Sequence, residues 1–431
     1  MHVLVLGAYG LIGHEICLHL LDNGFQVTGL ARSEATGRAL LPDVQWIGAD
    51  LSQLTQPDDW SRHLSGIDAV VNAAGALQSG AKDNVTAVQE TAMKALYAAC
   101  EAQGVKTFIQ ISAPGVSEDD STEFIATKAR ADDALRETDL QWVILRPGVV
   151  ISHQAYGGTA LLRMLAGFPL LLPLVMAGSK MQTVHVRDVA HAVKRALTDE
   201  TLVRKTFDLV EDDAHNLEAV VLSFRRWLGF PPPLKVIALP SWFGYMVARG
   251  ADSSGDLGWR SPLRTTAMKV LESDVLGNPE PWRAVEGQSL RSLDETLKSL
   301  PVSGQERLFA RMQLLFPILV ILMAIFWFAS GIIGLVSYQA AIALVSGVVG
   351  SAMAGLLLVG GAILDILIAA GLLVRRTFRL AVFGSLGLSI AYLISGTVFT
   401  PDIWLDPLGP FVKILPVLCT SLVLLAMSGE R

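Results

Sequence analysis

Residues 3–13 decide the fold, and they read Val-Leu-Val-Leu-Gly7-Ala-Tyr-Gly10-Leu-Ile-Gly13. The four apolar residues predict a strand, and the residues after the glycines (11–21) predict a helix. Glycines at this spacing allow a tight turn and let the backbone approach a pyrophosphate, while the helix N-terminus offers its free N–H groups to the anion. The stretch therefore predicts a dinucleotide-binding turn; the alternative is an ordinary strand-to-helix turn. A strand at this position is also too short and too early to be a targeting signal.

The residues that follow alternate between short β-rich runs and helix-like stretches. Helices are expected at 86–103 and 122–137. Regular alternation predicts an α/β Rossmann-like fold, a doubly wound parallel sheet with helices on both faces. The predicted strands are Val3–Leu6, Gln26–Leu30, Gln45–Ile47, Ala69–Asn72, Thr107–Ile111 and Gln141–Leu145.

Charge is distributed very unevenly along the 431 residues. Only seven charged residues occur among positions 312–428, and none between 312 and 364. A membrane span needs about 20 apolar residues, so a soluble region is joined to a membrane region. The chain divides into an NAD(P)-binding domain at 1–300, with its substrate side mainly at 149–300, a linker at 301–311 and an all-α four-helix transmembrane domain at 312–428.

Composition excludes several classes of protein. The cysteines Cys17, Cys100 and Cys419 offer neither a disulfide framework nor a metal quartet, which indicates a reducing compartment and no metal site. Outside residues 312–428 there are 30 Lys and Arg against 37 Asp and Glu, a net charge of −7. Nucleic-acid binding is therefore excluded as a main function.

The residue after the second strand indicates which dinucleotide binds. NAD enzymes usually place an acid there for the ribose 2′-hydroxyl, whereas this chain has Gly29-Leu-Ala-Arg32-Ser33, with no acid before Glu34. An arginine suits a 2′-phosphate through charge-assisted hydrogen bonds. Arg32 predicts a preference for NADP(H) over NAD(H); the alternative is a solvated surface charge.

Further motifs occur in a family-specific order after the first. They are Ala49-Asp50-Leu51, Asn72-Ala-Ala-Gly75, Ile111-Ser112, Arg146-Pro147-Gly148 and Val184-His185-Val-Arg-Asp188-Val-Ala190. With Gly7-x-x-Gly10-x-x-Gly13, this order resembles the atypical extended short-chain dehydrogenase/reductases, which are related to sugar-nucleotide epimerases and to the nucleotide-binding accessory subunit of respiratory complex I. The resemblance covers about residues 1–300.

The resemblance implies positions for the cofactor. Asp50 and Leu51 would lie at the adenine, Lys128 at the nicotinamide ribose, and Pro147 and Gly148 near the nicotinamide. With Arg32, the expected cofactor-binding residues are Gly7, Ala8, Tyr9, Gly10, Leu11, Ile12, Gly13, Arg32, Asp50, Leu51, Ala73, Ala74, Gly75, Lys128, Pro147 and Gly148.

One departure from the family concerns catalysis. Active members carry Tyr-x-x-x-Lys, in which tyrosine is the general acid or base, but this chain reads Phe124-Ile-Ala-Thr-Lys128. Phenylalanine has no proton to give. The remaining catalytic candidates are Lys128 and Ser112, and Tyr156 could reach the site from another loop, although such a tyrosine more often only packs or caps.

Three other features of the sequence can be interpreted either structurally or functionally. His185 and Asp188 could be catalytic, but Asp188 is better explained as a helix cap or first-turn acid. His14 and His19 are five residues apart, about 140° around a helix, and cannot share a metal. The apolar run 168–177 contains two prolines and is too short to span a bilayer, so it is expected to be a buried or substrate-facing loop.

The apolar C-terminal region predicts four spans. Arg307, Arg311 and the cluster Arg375, Arg376 and Arg379 should stay inside, which places the N-terminal domain and the C-terminal Arg431 in the cytoplasm of a bacterial-type cell, with the spans in its inner membrane. Pro416 is expected to kink the last span. The predicted spans are Leu314–Val336, Val349–Val374, Leu380–Phe399 and Leu408–Met427, with a break at 337–339 and an interfacial helix before the second.

The tail 401–416 reads Pro-Asp-Ile-Trp404-Leu-Asp406-Pro-Leu-Gly409-Pro-Phe-Val-Lys413-Ile-Leu-Pro. It resembles the C-terminal signature of the DoxX-like membrane family, whose four-helix members are often associated with redox or quinone-linked processes. Asp365 lies inside the second span, where an acid is costly and therefore a functional candidate; the alternative is a carboxyl that hydrogen-bonds a neighbouring helix.

Two functions fit these observations. The first is an oxidoreductase or isomerase acting on a membrane-associated, quinone-like or lipid-like substrate. The second is a non-catalytic NADP(H)-binding module that reports redox state or stabilises an assembly, with a membrane protein or a second copy as partner. Phe124 favours the second.

Overall fold

The computed structural model describes residues 1–75, 84–118, 122–259, 261, 263–407 and 409–428. The chain forms two compact units. The first comprises Met1–Asp252 and Ser261–Ala310, and the second comprises Ser253–Arg260 and Arg311–Arg431. The expected position of Arg431 and the start of the last span at Leu408 lie outside the described residues.

A parallel sheet forms the centre of the first unit, and the expected Rossmann-like class is confirmed. In space the strands of the described chain follow the order β11-β6-β5-β4-β1-β2-β3. All six predicted strands form, within two residues of their expected ends. The strands are β1 His2–Leu6, β2 Gln26–Ala31, β3 Gln45–Gly48, β4 Ala69–Asn72, β5 Thr107–Ile111, β6 Gln141–Pro147 and β11 Lys205–Leu209.

The first strand shows why the sheet is covered on both faces. Successive side chains of a strand point to opposite faces, and in β1 every residue from Val3 to Leu6 is fully buried. Val3 and Val5 pack in one apolar core, and Leu4 and Leu6 pack in the other. Strands buried on both faces are typical of parallel sheets between two helical layers.

The helices of the first unit include the two expected around residues 86–103 and 122–137. A π-helical turn at Ala87–Thr91 precedes α4. The helices are α1 Leu11–Asp22, α2 Glu34–Leu40, α3 Pro57–Trp60, α4 Ala92–Gln103, α5 Glu123–Arg136, α6 Gly157–Ala166, α7 Val186–Thr198, α8 Leu217–Trp227, α9 Ser241–Asp256, α10 Thr265–Glu272, α11 Glu280–Glu286 and α12 Leu293–Ser299; the last residues of α9 belong to the second unit.

Short strands complete the region after β6. The apolar run 168–177 was expected to be a loop, and this was wrong for its central residues, which form a strand. Pro173 is tolerated because this strand pairs on one side only, so its missing N–H breaks no ladder. The strands are β7 Val149–Ile151, β8 Leu171–Val175, β9 Lys180–Met181, β10 Thr183–His185, β12 His215–Asn216 and β13 Lys235–Leu239.

The second unit is built from apolar helices. Among the residues that the structure describes, three helices are long and apolar enough to cross a membrane: α13 Gly304–Val336, α15 Ser351–Leu373 and α16 Phe378–Phe399. The other two are α14 Tyr338–Val349 and α17 Ile414–Met427. The helix α13 begins within the residues expected as linker, and α17 is shorter than the expected fourth span.

Two further details of the second unit differ from expectation or add to it. Pro416 is the third residue of α17, in the first turn, where its missing N–H costs no internal helical hydrogen bond. The segment Ser253–Arg260 contributes Trp259, whose indole Nε1 donates to the carbonyl of Leu373 at 2.7 Å. Its ring centroid lies 5.8 Å from that of Phe316 and 5.1 Å from that of Phe378.

Candidate functional site

The glycine-rich turn lies at the carboxyl end of β1, between β2 and β4. In open α/β sheets, ligands bind beyond the carboxyl ends of the strands where the strand order reverses, and this is such a position. Gly7 has φ +68°, and a Cβ on it would lie 2.9 Å from the Cα of Ala74. A side chain at this position would therefore be both strained and blocked.

The start of α1 is open to an anion. Gly10 is the N-cap residue, provides no side-chain cap, and no acidic residue occurs in the first turn of the helix. A Cβ on Gly13 would collide with the carbonyl oxygen of Gly7, so the helix packs directly against the turn. The free N–H groups and the missing side chains form a cradle that fits a pyrophosphate.

The loop after β4 borders the same crevice. Asn72 is buried, and its side-chain oxygen accepts from the backbone N–H of Ala74 at 3.0 Å. The amide nitrogen of Asn72 donates to the side chain of Gln110 at 3.0 Å. This bridge from β4 to β5 holds residues 73–75 beside Gly7, which is where a bound dinucleotide would pass.

The residues expected to contact the adenosine part of the cofactor, Arg32, Asp50 and Leu51, follow the ends of β2 and β3. Arg32 is exposed and directly follows β2. Ser33 caps α2, its hydroxyl accepting from the backbone N–H of Thr36 at 3.2 Å. Asp50 uses one carboxylate oxygen to accept from the N–H and the hydroxyl of Ser52, and Leu51 is buried. Arg32 thus lies at the carboxyl end of β2, the strand paired with β1, whereas Asp50 organises its own turn.

Helix α5 carries the departure from Tyr-x-x-x-Lys. Phe124 and Lys128 lie one turn apart, and the Lys128 ammonium is 5.7 Å from the centroid of the Phe124 ring. Lys128 is buried and donates to the carbonyl of Ile111 at 3.1 Å. Burial lowers its pKa, partly offset by Asp132. The lysine is anchored at the end of β5, but the neighbouring ring can neither give nor take a proton.

The hydroxyl of Ser112 donates to a buried carboxylate. Ser112 Oγ lies 2.6 Å from Oδ2 of Asp132, one helical turn beyond Lys128, and Arg146 Nη2 lies 3.6 Å from the same oxygen. Oδ1 of Asp132 has no hydrogen-bond partner in the described part of the chain. Burial raises the pKa of Asp132, while Ser112 and then Lys128 act in the opposite direction.

Pro147 and Gly148 directly follow Arg146 in the chain. Pro147 ends β6, and the backbone N–H of Gly148 donates to the carbonyl of Leu209 at 3.0 Å. A Cβ on Gly148 would collide with the carbonyl oxygen of Gln182. The backbone is thus packed tightly at the position expected to approach the nicotinamide.

Tyr156, His185 and Asp188 have structural roles. Tyr156 is exposed at the N-cap of α6, where its backbone N–H donates to the hydroxyl oxygen of Thr159. His185 is the N-cap of α7, and its Nδ1 accepts from the N–H of Arg187 at 3.0 Å. Burial, reinforced by nearby Arg291, lowers the pKa of His185 to about 4. Asp188 is the expected first-turn acid and pairs with Arg291 at 2.7 Å.

Two further features lie outside the nucleotide crevice: a cavity on α9 and a buried acid in the second unit. A shallow cavity of about 520 Å³ is lined by Trp242, Tyr245, Met246 and Arg249 on α9. In the second unit, Asp365 is buried and accepts hydrogen bonds from Ser330 at 2.7 Å and Tyr392 at 3.0 Å. Asp365 thus does bond neighbouring helices, as its structural reading required.

Two residues of the crevice escaped the sequence reasoning. Asp132 follows Lys128 by four residues, a spacing that places both on one helix face. Gln89 is buried, accepts from the hydroxyl of Thr127 at 3.0 Å, and its amide lies 3.6 Å from the place where Gly75 would carry a Cβ. The spacing alone could have identified Asp132, but no local signal identifies Gln89.

Comparison with known proteins identifies matches for both parts of the chain. Residues 7–200 match the NAD(P)H-binding family, and residues 324–422 match the DoxX-like family. The NAD complex of UDP-glucose 4-epimerase from Thermus thermophilus superposes with a TM-score of 0.51 at 20% identity, covering 69% of this chain and 98% of that one. At this identity the likeness shows the fold alone.

Two curated relatives match parts of the N-terminal region. Ceramide reductase of Caulobacter vibrioides is 25% identical over 191 residues, which are 44% of this chain and 58% of that protein. The 40 kDa subunit of mitochondrial NADH-ubiquinone oxidoreductase from Neurospora crassa is 28% identical over 210 residues, 48% of this chain and 54% of that one. The chain thus spans little more than half the length of these relatives. The chain therefore combines an N-terminal domain that matches the NAD(P)H-binding family and has the Rossmann-like fold of the epimerase structure with a C-terminal DoxX-like domain that contains candidate transmembrane helices.

Proposed function

We propose that the crevice beyond β1 binds NADP(H) in preference to NAD(H). The open start of α1 and the cradle around Gly7 would hold the pyrophosphate, and Arg32 would meet the 2′-phosphate. Residues 73–75 would pass along the cofactor, with Lys128 at the nicotinamide ribose and Pro147 and Gly148 near the nicotinamide ring. When bound, the cofactor would supply a hydride or an electron-accepting ring.

The function that the site supports best is that of an NADP(H)-binding module without the family's tyrosine chemistry. The observation that carries this proposal is Phe124, whose ring lies against the Lys128 ammonium where the family has a phenol. A module of this kind would report the redox state of the nicotinamide pool or stabilise an assembly. A complex I subunit among the relatives is consistent with such a role in an assembly.

A second candidate function is that of an oxidoreductase or isomerase whose proton donor is a residue other than the one at position 124. The Ser112 hydroxyl lies at the end of β5, and it donates a hydrogen bond to the buried Asp132 carboxyl at 2.6 Å. Burial favours the acid form of Asp132, and in that form the carboxyl would donate to Ser112 Oγ instead. Ser112 would then pass its own proton to the substrate as it takes one from Asp132, which would be left as a carboxylate. A ceramide reductase among the relatives is consistent with a lipid-like substrate.

We further propose that the second unit anchors the protein in a bacterial-type inner membrane, with the nucleotide domain and the C-terminus in the cytoplasm. Three helices are long enough to cross. Helix α17 has 14 residues, about 21 Å of helix against a hydrocarbon core of about 30 Å. A fourth span would therefore use the turn before α17 as well.

One experiment separates the two candidate functions. The full chain in detergent is titrated with NADPH, and NADPH consumption is then followed against a panel of quinones and carbonyl compounds. The module predicts binding with negligible consumption, and robust consumption by the wild type would refute it. Phe124→Tyr restores the phenol, and Phe124→Leu serves as the control that changes the ring without adding a proton donor.

A further inference from the structure

Three exposed leucines form one edge of the first unit. Leu170, Leu171 and Leu234 expose 66%, 44% and 78% of their surface. The N–H of Leu234 donates to the carbonyl of Leu170 at 2.7 Å, and the strands that follow start side by side, with Leu171 opposite Lys235. These three residues, here named the leucine edge, are therefore a single apolar surface.

The exposure of the leucine edge is imposed by the structure around it. The buried guanidinium of Arg225 donates to the carbonyl of Phe168 at 2.6 Å and to that of Pro231 at 2.6 Å. One side chain thus fixes both loops that carry the leucines. Three consecutive prolines, residues 231–233, stiffen the approach to Leu234.

Both loops adjoin the helix by which the chain approaches the uncharged region. A Cβ on Gly167 would lie 3.1 Å from the carbonyl oxygen of Ala310, and one on Gly229 would lie 2.6 Å from the guanidinium of Arg307. Residues 304–310 of this helix belong to the first unit. The run without charges starts only two residues later, at Met312.

The charges beside the leucine edge suit a lipid surface. Lys235 directly follows Leu234, and Arg307 lies against Gly229, five residues before Leu234; both cations are exposed. The nearby acid, Glu306, is held by the N–H and hydroxyl of Ser303, both at 2.7 Å. Apolar side chains flanked by exposed cations are typical of surfaces that sit in the interface of a membrane containing anionic lipids.

We propose that the leucine edge inserts into the headgroup and upper acyl region of the bilayer, beside the point where α13 enters it. The occupant of this apolar surface is lipid, supplied by the same membrane that holds the second unit. This contact holds the substrate-side strands β8 and β13 at the membrane surface. The inference concerns the attachment of the first unit and is independent of whether the protein is catalytic.

A fluorescent probe on the edge tests this contact. The full chain carries Cys419→Ser, which removes the exposed thiol and leaves the buried Cys17 and Cys100. The environment-sensitive dye NBD is attached at Leu234→Cys in nanodiscs of phosphatidylcholine and phosphatidylglycerol. The control is Leu40→Cys, a leucine that is 51% exposed on α2 beside the edge strand β3.

The expected result is blue-shifted emission at position 234 and at least twofold quenching when lipids with a shallow doxyl label are included. Position 40 should show neither change. Equal water-like emission at both positions would overturn the proposal. Blue-shifted emission at 234 without lipid quenching would also overturn it, because a protein surface, from a second copy or a partner, would then cover the edge.

Discussion

The ammonium of Lys128 lies 5.7 Å from the centre of the Phe124 ring, on the same face of α5. The family resemblance of the sequence implies a phenol at this neighbouring position, acting as general acid or base. Here the cation faces an aromatic ring at cation–π distance and is held by the carbonyl of Ile111. The site therefore retains the lysine that would hold a ribose but lacks the group that the lysine would activate.

Arg32→Ala should remove most of the preference for NADPH over NADH. A hydrogen bond to a charged group contributes about 1–3 kcal/mol, which is about 5- to 150-fold in affinity. Isothermal titration calorimetry with both nucleotides measures the preference. Arg62→Ala, a cation on the turn Ser61–His63, is the control and should change neither affinity. Equal affinities for the two nucleotides in the wild type would contradict the assignment.

Lys128→Met should weaken NADPH binding about tenfold or more, since it removes the proposed ribose contact while keeping an apolar stem of similar length. Fluorescence titration with NADPH measures the change. Lys106→Met, at an exposed lysine before β5, provides the matched control. Unchanged affinity in Lys128→Met would show that this lysine only supports the end of β5.

Tyr156→Phe should leave any NADPH-dependent activity unchanged, because Tyr156 is exposed and caps α6. If the second candidate function holds, Ser112→Ala and Asp132→Asn should instead lower turnover about 10²- to 10⁴-fold at unchanged NADPH affinity. Steady-state kinetics beside binding measurements distinguish these cases. Loss of a robust activity in Tyr156→Phe would make that tyrosine the leading acid.

His185→Asn should reduce the loss of stability in mild acid. Burial, with Arg291 nearby, holds the pKa of His185 at about 4, below its ordinary value of 6.5, so the folded state binds fewer protons than the unfolded state between these values. The stability provided by the neutral ring is present above pH 6.5 and is lost as the pH falls towards 4.

Asparagine keeps an acceptor for the Arg187 N–H but does not titrate. Thermal unfolding followed by tryptophan fluorescence at pH 7 and pH 5 should therefore show a smaller fall in Tm for His185→Asn, by about 2–4 °C per kcal/mol recovered. His63→Asn, on the turn before β4, is the comparison. An identical fall in wild type and His185→Asn would exclude His185 as the cause.

Cysteines introduced in the Cys419→Ser background should reveal the topology. Because the cluster Arg375, Arg376 and Arg379 should remain inside, an impermeant thiol reagent added to intact cells should label Ser337→Cys and Pro407→Cys but not Thr377→Cys. As a control for reactivity, Thr377→Cys should become labelled once the cells are lysed. Labelling of Thr377→Cys in intact cells would instead indicate the opposite orientation, with the nucleotide-binding domain outside the cell.

Local pattern predicted most of the first unit and only part of the site. The strands and α1 were predictable because apolar runs and glycine turns are local properties of the chain. The strand at 171–175 was missed because a proline normally ends a strand, and its tolerance here depends on β8 pairing with a single described neighbour, β13. That depends on pairing with residues 235–239, which no local pattern shows.

The partners within the site were also hidden from local reasoning. Ser112 meets Asp132 across 20 positions, and this contact exists only because β5 and α5 pack together. His185 as a cap was unexpected since histidine is not among the usual cap residues. Sequence motifs thus identified the positions around the cofactor, whereas the hydrogen bonds that orient them depend on tertiary packing.

The segment Ser253–Arg260 makes the two units difficult to separate genetically. The chain crosses between the units three times, after Asp252, before Ser261 and after Ala310, instead of once. A stop codon after residue 310 would leave Trp259 without the rings of Phe316 and Phe378 and without the carbonyl of Leu373. The indole of Trp259 would then be exposed to water, and we expect this added apolar surface to make such a fragment prone to aggregation. An N-terminal fragment would therefore need the segment Ser253–Arg260 shortened or Trp259 replaced by a polar residue.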